Sequence, residues 1–289
     1  MKEELKRNFP NWCEDTETKY ELFMSDDLDA LMCYQMQKLN YNREVEYFVN
    51  SSKDRAYKGY YGEKTGKQYF YNTENASNKK SNTIVLDFSV NSNVKAWDNH
   101  IIKINNNEEK YNKLSANANI TINKNNYTSK FCISSFITML SYYNVDVNKW
   151  THEEKVCLCA IDGLYQPFKN PRFADTGAKN LELLNMECLV PFIKNNLQEI
   201  EQFYNNNVKG KTMWINENGY METNLDLILL SNIWGYQVTL PKKQFALKRT
   251  IESRIFNTCL SKEQLENKYG KKIFNIALTY RNSGVVSFI

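Results

Sequence analysis

Proline and glycine are scarce in this chain, five and ten in 289 residues, which excludes collagen-like and linker-dominated architectures. Long apolar runs are missing. No stretch approaches the roughly 20 residues that span a bilayer, and residues 1–6 lack the apolar core of a signal peptide. The expectation is a cytoplasmic protein with no membrane partner. Strong charge of one sign is missing too. A formal net charge of +4 permits an anionic ligand, whereas stable duplex nucleic-acid binding calls for a stronger basic stripe. The seven cysteines form no Cys-x-x-Cys pair, and Cys157 and Cys159 lie in an apolar run. They read as buried free thiols rather than as disulfides or metal ligands. What remains is an ordinary globular composition, 42% hydrophobic and 24% charged, long enough for two domains or one large one.

The acidic residues stand out by position. Asp27 and Asp29 lie in Ser25-Asp26-Asp27-Leu28-Asp29. Asp87 ends the apolar run Thr83-Ile84-Val85-Leu86. Asp98 follows a short strand-like segment and precedes Asn99-His100, and Asp162 closes a Cys-rich apolar stretch. Carboxylates gathered in one place repel one another, by about 4 kcal/mol per pair at about 4 Å and an effective dielectric near 20. They share a site only if they protonate or a cation neutralises them. A divalent-metal phosphoryl centre uses all of them.

The chain pattern tells where such a centre would form. Residues 19–24 read as a strand, 27–39 as a helix with apolar residues at helical spacing, and 44–49 as a second strand. Residues 57–72 read as an aromatic hairpin, 72–82 as a polar loop, and 83–88 and 94–97 as strands. Helices are expected over 131–143 and 152–164, the second opened by Thr151. A long helical pattern over 177–205 is interrupted by Pro191, and residues 205–211 read as a linker. Beyond it come a strand at 212–216, a helix at 224–233, a strand at 236–240, helices at 243–257 and 261–269, and a strand at 273–279. Alternating strands and helices imply an open α/β fold with a parallel sheet. Ligands gather at the C-terminal ends of such strands, and Asp27, Asp29, Asp87 and Asp98 all fall just past strand ends. The expected division is a first domain over 1–175, a connecting helix over 176–204 and a smaller α/β domain over 205–289.

The order and spacing of these motifs resemble the DHH phosphoesterase superfamily, named for an Asp-His-His motif, across much of residues 19–170. Asp27-x-Asp29 resembles its first motif, Asp87 its strand-ending second, Asp98-Asn99-His100 its third and Asp162 its fourth. Ser134-Ser135 stands where a Ser-Ser pair usually follows, and the segment running into Arg281-Asn282 is similar to the close of the family's small C-terminal domain. Two histidine ligands of the pattern are replaced, by Ser25 and Asn99, and a Gly-Gly-Gly-His loop is missing. The Asp-Asn-His form with Trp97 before it resembles phage-borne members more than cellular exonucleases, and such members would act in the host cytoplasm.

The resemblance implies a divalent-metal-dependent phosphodiesterase acting on a small nucleotide, cyclic or a short oligonucleotide. Asp27, Asp29, Asp87 and Asp162 would hold one or two Mn²⁺ or Mg²⁺ ions. Asp98 would orient His100 toward the scissile phosphate, and Ser134, Ser135, Arg281 and Asn282 would contact the substrate. The missing histidines motivate the alternative, a degenerate protein that sequesters a cyclic nucleotide signal. Either activity would suit phage counter-defence. Whether the protein forms a homodimer is left open. Each residue also has a structural reading: Asp27 and Asp29 as helix caps, Asp87 as a strand end, Ser134 and Ser135 as helix-start packing, His152 as a neighbour of a cap.

Overall fold

The computed structural model describes residues 1–59 and 62–289. The strands are β1 (Glu21–Met24), β2 (Val45–Asp54), β3 (Tyr57–Gly59), β4 (Gly62–Lys64), β5 (Gly66–Asn72), β6 (Thr83–Leu86), β7 (Lys95–Trp97), β8 (Ser115–Ala116), β9 (Met213–Ile215), β10 (Met221–Thr223), β11 (Ala246–Asn257), β12 (Ile273–Tyr280) and β13 (Ser283–Phe288). The helices are α1 (Glu3–Lys6), α2 (Leu28–Tyr41), α3 (Ser135–Tyr142), α4 (His152–Ala160), α5 (Pro171–Leu183), α6 (Leu189–Asn195), α7 (Leu197–Asn207), α8 (Leu227–Trp234) and α9 (Lys262–Tyr269).

The fold is mixed α/β. Nine strands make one sheet in the order β12-β13-β11-β5-β2-β1-β6-β7-β8. From β2 to β8 every neighbouring pair is parallel, and from β12 to β2 every pair is antiparallel. The parallel half has the composition that burial on both faces demands: all four residues of β6, Thr83-Ile84-Val85-Leu86, are buried. On one face the sheet packs against helices in a core that includes Leu22, Leu31, Trp97, Ile137 and Leu158. On the other, Phe23, Val85, Phe88 and Val90 form a second apolar cluster. A third, around Leu265, Ile276 and Val286, joins the C-terminal strands to Ile101 and Ile104.

Register places the site. Met24 pairs with Leu86, Leu86 with Trp97, and Trp97 with Ala116. The residues that follow each strand, Ser25, Asp87, Asp98 and Asn117, therefore emerge side by side at one sheet edge.

Several expectations are corrected by tertiary contacts. Residues 243–257, expected as a helix, contain the long strand β11, which pairs with β5 on one side and β13 on the other. Its β-branched Thr250, Ile251 and Ile255 suit that pairing, and pairing outweighs local helical spacing. Residues 236–240 form no strand. There the Gln35 carboxamide brackets Thr239, donating to its carbonyl at 2.8 Å and accepting from its N–H at 3.3 Å, in place of a strand partner. The long pattern over 177–205 is divided among α5, α6 and α7, with Asn185 in a left-handed conformation at the first break. The expected small C-terminal unit has no sheet of its own for its last three strands, because β11–β13 continue the main sheet through β5. The hairpin expected over 57–72 spans positions 60 and 61, which lie outside the described residues. Among the described residues no helix is long and apolar enough to cross a membrane.

Local capping follows the sequence closely. Thr151 and Glu154 form a reciprocal capping box at the start of α4. Thr151→Ala should cost about 1 kcal/mol. A lower denaturant midpoint at unchanged slope would show it; an unchanged midpoint would refute the cap's contribution.

Candidate metal centre

The carboxylates converge. Asp29, Asp87 and Asp162 each offer an oxygen, and these atoms lie within 4.8 Å of one another; Asp87, Asp98 and His100 form a second such group. Asp87 belongs to both. Its backbone has φ of 54° and that of Asp162 has φ of 51°, so two of the carboxylates are presented from left-handed conformations. Asp tolerates this region better than most residues, and such strain gathers at functional sites.

Each side chain is held by a local device. Asp27 caps α2, accepting from the Ala30 N–H at 3.1 Å. Asp29, in the first turn of α2, reaches the start of α3 and accepts from the N–H groups of Ser135 at 2.6 Å and Phe136 at 2.8 Å. Those donors carry the positive end of the helix dipole. Ser135 Oγ donates to Asp87 at 3.0 Å and Ser25 Oγ at 3.4 Å. Asp98 Oδ1 meets His100 Nδ1 at 2.7 Å. Asn117 donates to Asp98 and to the His100 carbonyl, and Asn119 to the Asn99 carbonyl, so two buried asparagines brace the loop. The Asn99 carboxamide donates to both Asp29, at 3.3 Å, and Asp162.

Electrostatics reflects the crowding. Burial, then Asp87 and Asp162, hold the Asp27 and Asp29 carboxyls well above the usual range. Asp162 opens to solvent at the cavity mouth, yet the protein packed around it and Asp87 push it up to about 6. Burial disfavours the charged form of His100, but Asp98 outweighs it, and Asp87 and Asp162 add to Asp98, raising the imidazole to about 10. Near neutral pH this cluster therefore holds protons or demands a cation. Oxygen donors with one imidazole suit hard or borderline divalent ions. The donor set fits such an ion; it does not select which one.

Two cavities meet here. One, of about 860 Å³, is lined by Asp27, Asp29 and Asp162 together with Lys53, Arg55, Lys209, Lys211, Tyr71, Tyr204 and Trp214. The other, of about 300 Å³, is lined by Asp27, Asp87 and His100 with Ser25, Arg55 and Gln68.

No protein-family model, curated protein or solved structure matches this chain.

Of the residues expected at a site, Asp27, Asp29, Asp87, Asp98, His100, Asp162 and Ser135 are brought together. Ser134 is not at the carboxylates: its hydroxyl accepts from the Ile137 N–H as the cap of α3. Arg281 and Asn282 form the turn between β12 and β13 and line neither cavity; Arg281 Nε donates to the Lys124 carbonyl at 3.2 Å. His152 is away from the centre, paired with Glu199 at 2.8 Å. The cations and aromatics of the large cavity escaped the sequence reading. Lys209-Gly210-Lys211 was expected as linker but lines that cavity, and two lysines flanking a glycine were the available signal.

Proposed function

We propose that this protein is a divalent-metal-dependent phosphodiesterase acting on a small nucleotide, a cyclic nucleotide or a short oligonucleotide. The observation that carries this reading is Asp87, shared between two ligand-range groups beside a cavity of lysine, arginine and aromatic side chains. Asp29, Asp87 and Asp162 would hold one ion, and Asp87, Asp98 and His100 a second, with Asp27 alongside. When bound, such ions supply Lewis-acid charge and lower the pKa of water.

The remaining roles belong to the chain. Asp98 engages His100 Nδ1, leaving Nε2 for an ion or for the leaving oxygen. Lys53, Arg55, Lys209 and Lys211 offset phosphate charge, a part the sequence assigned to Arg281. Tyr71, Tyr204 and Trp214 offer faces on which bases stack. Ser135 steadies Asp87 and Asp29 rather than touching substrate.

A second reading rests on Asn99. Its carboxamide already donates to Asp29 and Asp162, which satisfies part of that group's hydrogen-bonding demand without an ion and favours a nucleotide-sequestering protein. The test is incubation with cyclic dinucleotides and short oligonucleotides plus Mn²⁺, followed by chromatography. Cleavage supports the enzyme, intact retention that ignores metal supports the binder, and the absence of both cleavage and retention refutes both readings.

Asn99→His separates them further. Imidazole binds first-row ions better than a carboxamide does. Mn²⁺ affinity should rise on the order of tenfold, the scale on which ligand surroundings tune such sites. Calorimetry with no change in affinity would remove Asn99 from the metal centre.

A further inference from the structure

A third cavity, of about 700 Å³, opens beside the apolar cluster on the other face of the sheet, and none of the clustered carboxylates lines it. Its size is that of a small-molecule pocket. The sheet curls to form it. Beyond β6 the chain returns to β12, where Val90 bridges to Asn275 and the Asn91 N–H donates to the Phe274 carbonyl at 2.8 Å. The mouths of barrel-like sheets are common ligand sites. Phe23, Tyr47, Phe70 and Phe274 line the interior. Neighbouring rings cross at 74° (Tyr47 and Phe23), 52° (Phe23 and Phe70) and 85° (Phe70 and Phe274). Rings set at such angles make a rounded apolar floor, not the flat slot between parallel rings that suits a base. Phe88 touches Phe23, Phe70 and Phe274 and lines the 300 Å³ cavity, so it stands between this floor and the carboxylates.

The rim is cationic. Lys80, Lys248 and Arg249 are exposed and line the cavity, and no Asp or Glu side chain does. Among the described residues none of the three forms an ion pair. Successive residues of a regular strand face opposite sides. Here the register against β5 shifts between Leu247 and Arg249, which inserts Lys248 as an extra residue, and both cations reach one cavity. Bulges re-aim side chains in this way at barrel rims and beside sites.

We propose that this cavity binds a small anionic amphiphile, an aliphatic chain carrying a carboxylate or phosphate head. The chain leaves water for the aromatic floor, and the head meets Lys80, Lys248 and Arg249. The site stands apart from the carboxylate centre and is independent of the phosphodiesterase reading.

Titration calorimetry at low salt tests this with decanoate, decyl phosphate, octanoate, neutral octanamide and AMP. One site per chain is expected, and the tighter of decanoate and decyl phosphate identifies the head. Decanoate should bind at least about fourfold tighter than octanoate, since each buried methylene adds affinity. Octanoate should bind at least about fivefold tighter than octanamide, and the double variant Lys248→Glu, Arg249→Glu should weaken decanoate at least about tenfold while octanamide changes less than about twofold. Ser92→Trp, which fills the cavity from a half-buried lining position, should abolish binding of every alkyl ligand. Should Ser92→Trp fail to fold, the exposed rim pair decides. Absent alkyl binding, octanoate no tighter than octanamide, or decanoate affinity untouched in the folded variants overturns the site. So does AMP binding that Ser92→Trp abolishes, which would give the cavity to a nucleotide. So does a dimer in sedimentation that the rim variant dissociates, which would give it to a second copy of the chain.

Discussion

Asp87→Asn is expected to lower Mn²⁺ affinity at least about 100-fold and to raise the stability of the metal-free protein. Asp87 is the single carboxylate common to both ligand groups, so its loss affects both at once. Partners that merely orient ligands already change affinity 10- to 100-fold when removed, on a rough scale, and a shared ligand should exceed that. Asparagine is the chosen replacement because it tolerates the left-handed backbone at φ 54° and can still accept from Ser135. The substitution thus removes charge with little change of shape. Without an ion, that charge opposes the ionised forms of Asp27, Asp29 and Asp162. Its removal should raise the melting temperature in EDTA by roughly 2–4 °C for each kcal/mol of repulsion relieved. Titration calorimetry and thermal unfolding in EDTA read the two effects separately. Unchanged Mn²⁺ affinity would sink the shared-ligand assignment, and a melting temperature that falls would sink the claim of repulsion.

The metal-free protein should also lose stability as pH rises from about 4 toward about 10, with no interval of gain from these groups. The sign follows from proton counting. Asp162 moves from an ordinary 3.8 to about 6 in the folded chain, and Asp27 and Asp29 are held above 3.8 as well. Between the unfolded and folded values the native state binds more protons than the unfolded chain, so stability falls as pH climbs. His100 acts in the same direction over a higher window. Its pKa rises from 6.5 to about 10, so its contribution is fully present below 6.5 and is lost through about 10. Saturating Mn²⁺ should flatten the profile, because an ion replaces the protons that otherwise relieve the carboxylates. Melting temperatures measured at pH 5 and pH 8, in EDTA and in Mn²⁺, decide it. A metal-free protein that melts higher at pH 8 than at pH 5 would contradict the assignment.

Much of the centre was legible because its chemistry is local. Asp27 caps the helix it begins, and the run Thr83-Ile84-Val85-Leu86 becomes a buried parallel strand with Asp87 at its end. An apolar run, a cap and a strand-ending carboxylate each declare themselves within a few residues. Ser134 and Ser135 mark the limit. Adjacent and chemically alike, they differ in role because one faces its own helix and the other faces Asp87. Only the direction of α3 against the sheet separates them.

The residues that escaped were those whose meaning depends on distant chain. Lys209 and Lys211 look like linker until the fold brings them to the wall of the cavity that Asp162 also lines. Strand β11 scanned as helix because its spacing is ambiguous and its two partners lie far from it in sequence. The sequence by itself determined the mixed α/β class, the capped helices α2 and α4, and the carboxylates available for one site. Tertiary structure decided the register that sets Ser25, Asp87 and Asp98 level, the sharing of Asp87, and the continuation of the sheet through β5 into the C-terminal strands. The division has a physical cause: caps and apolar periodicity act over a few residues, whereas strand pairing and cavity walls are settled by groups from separate segments of the chain that meet only when it is folded.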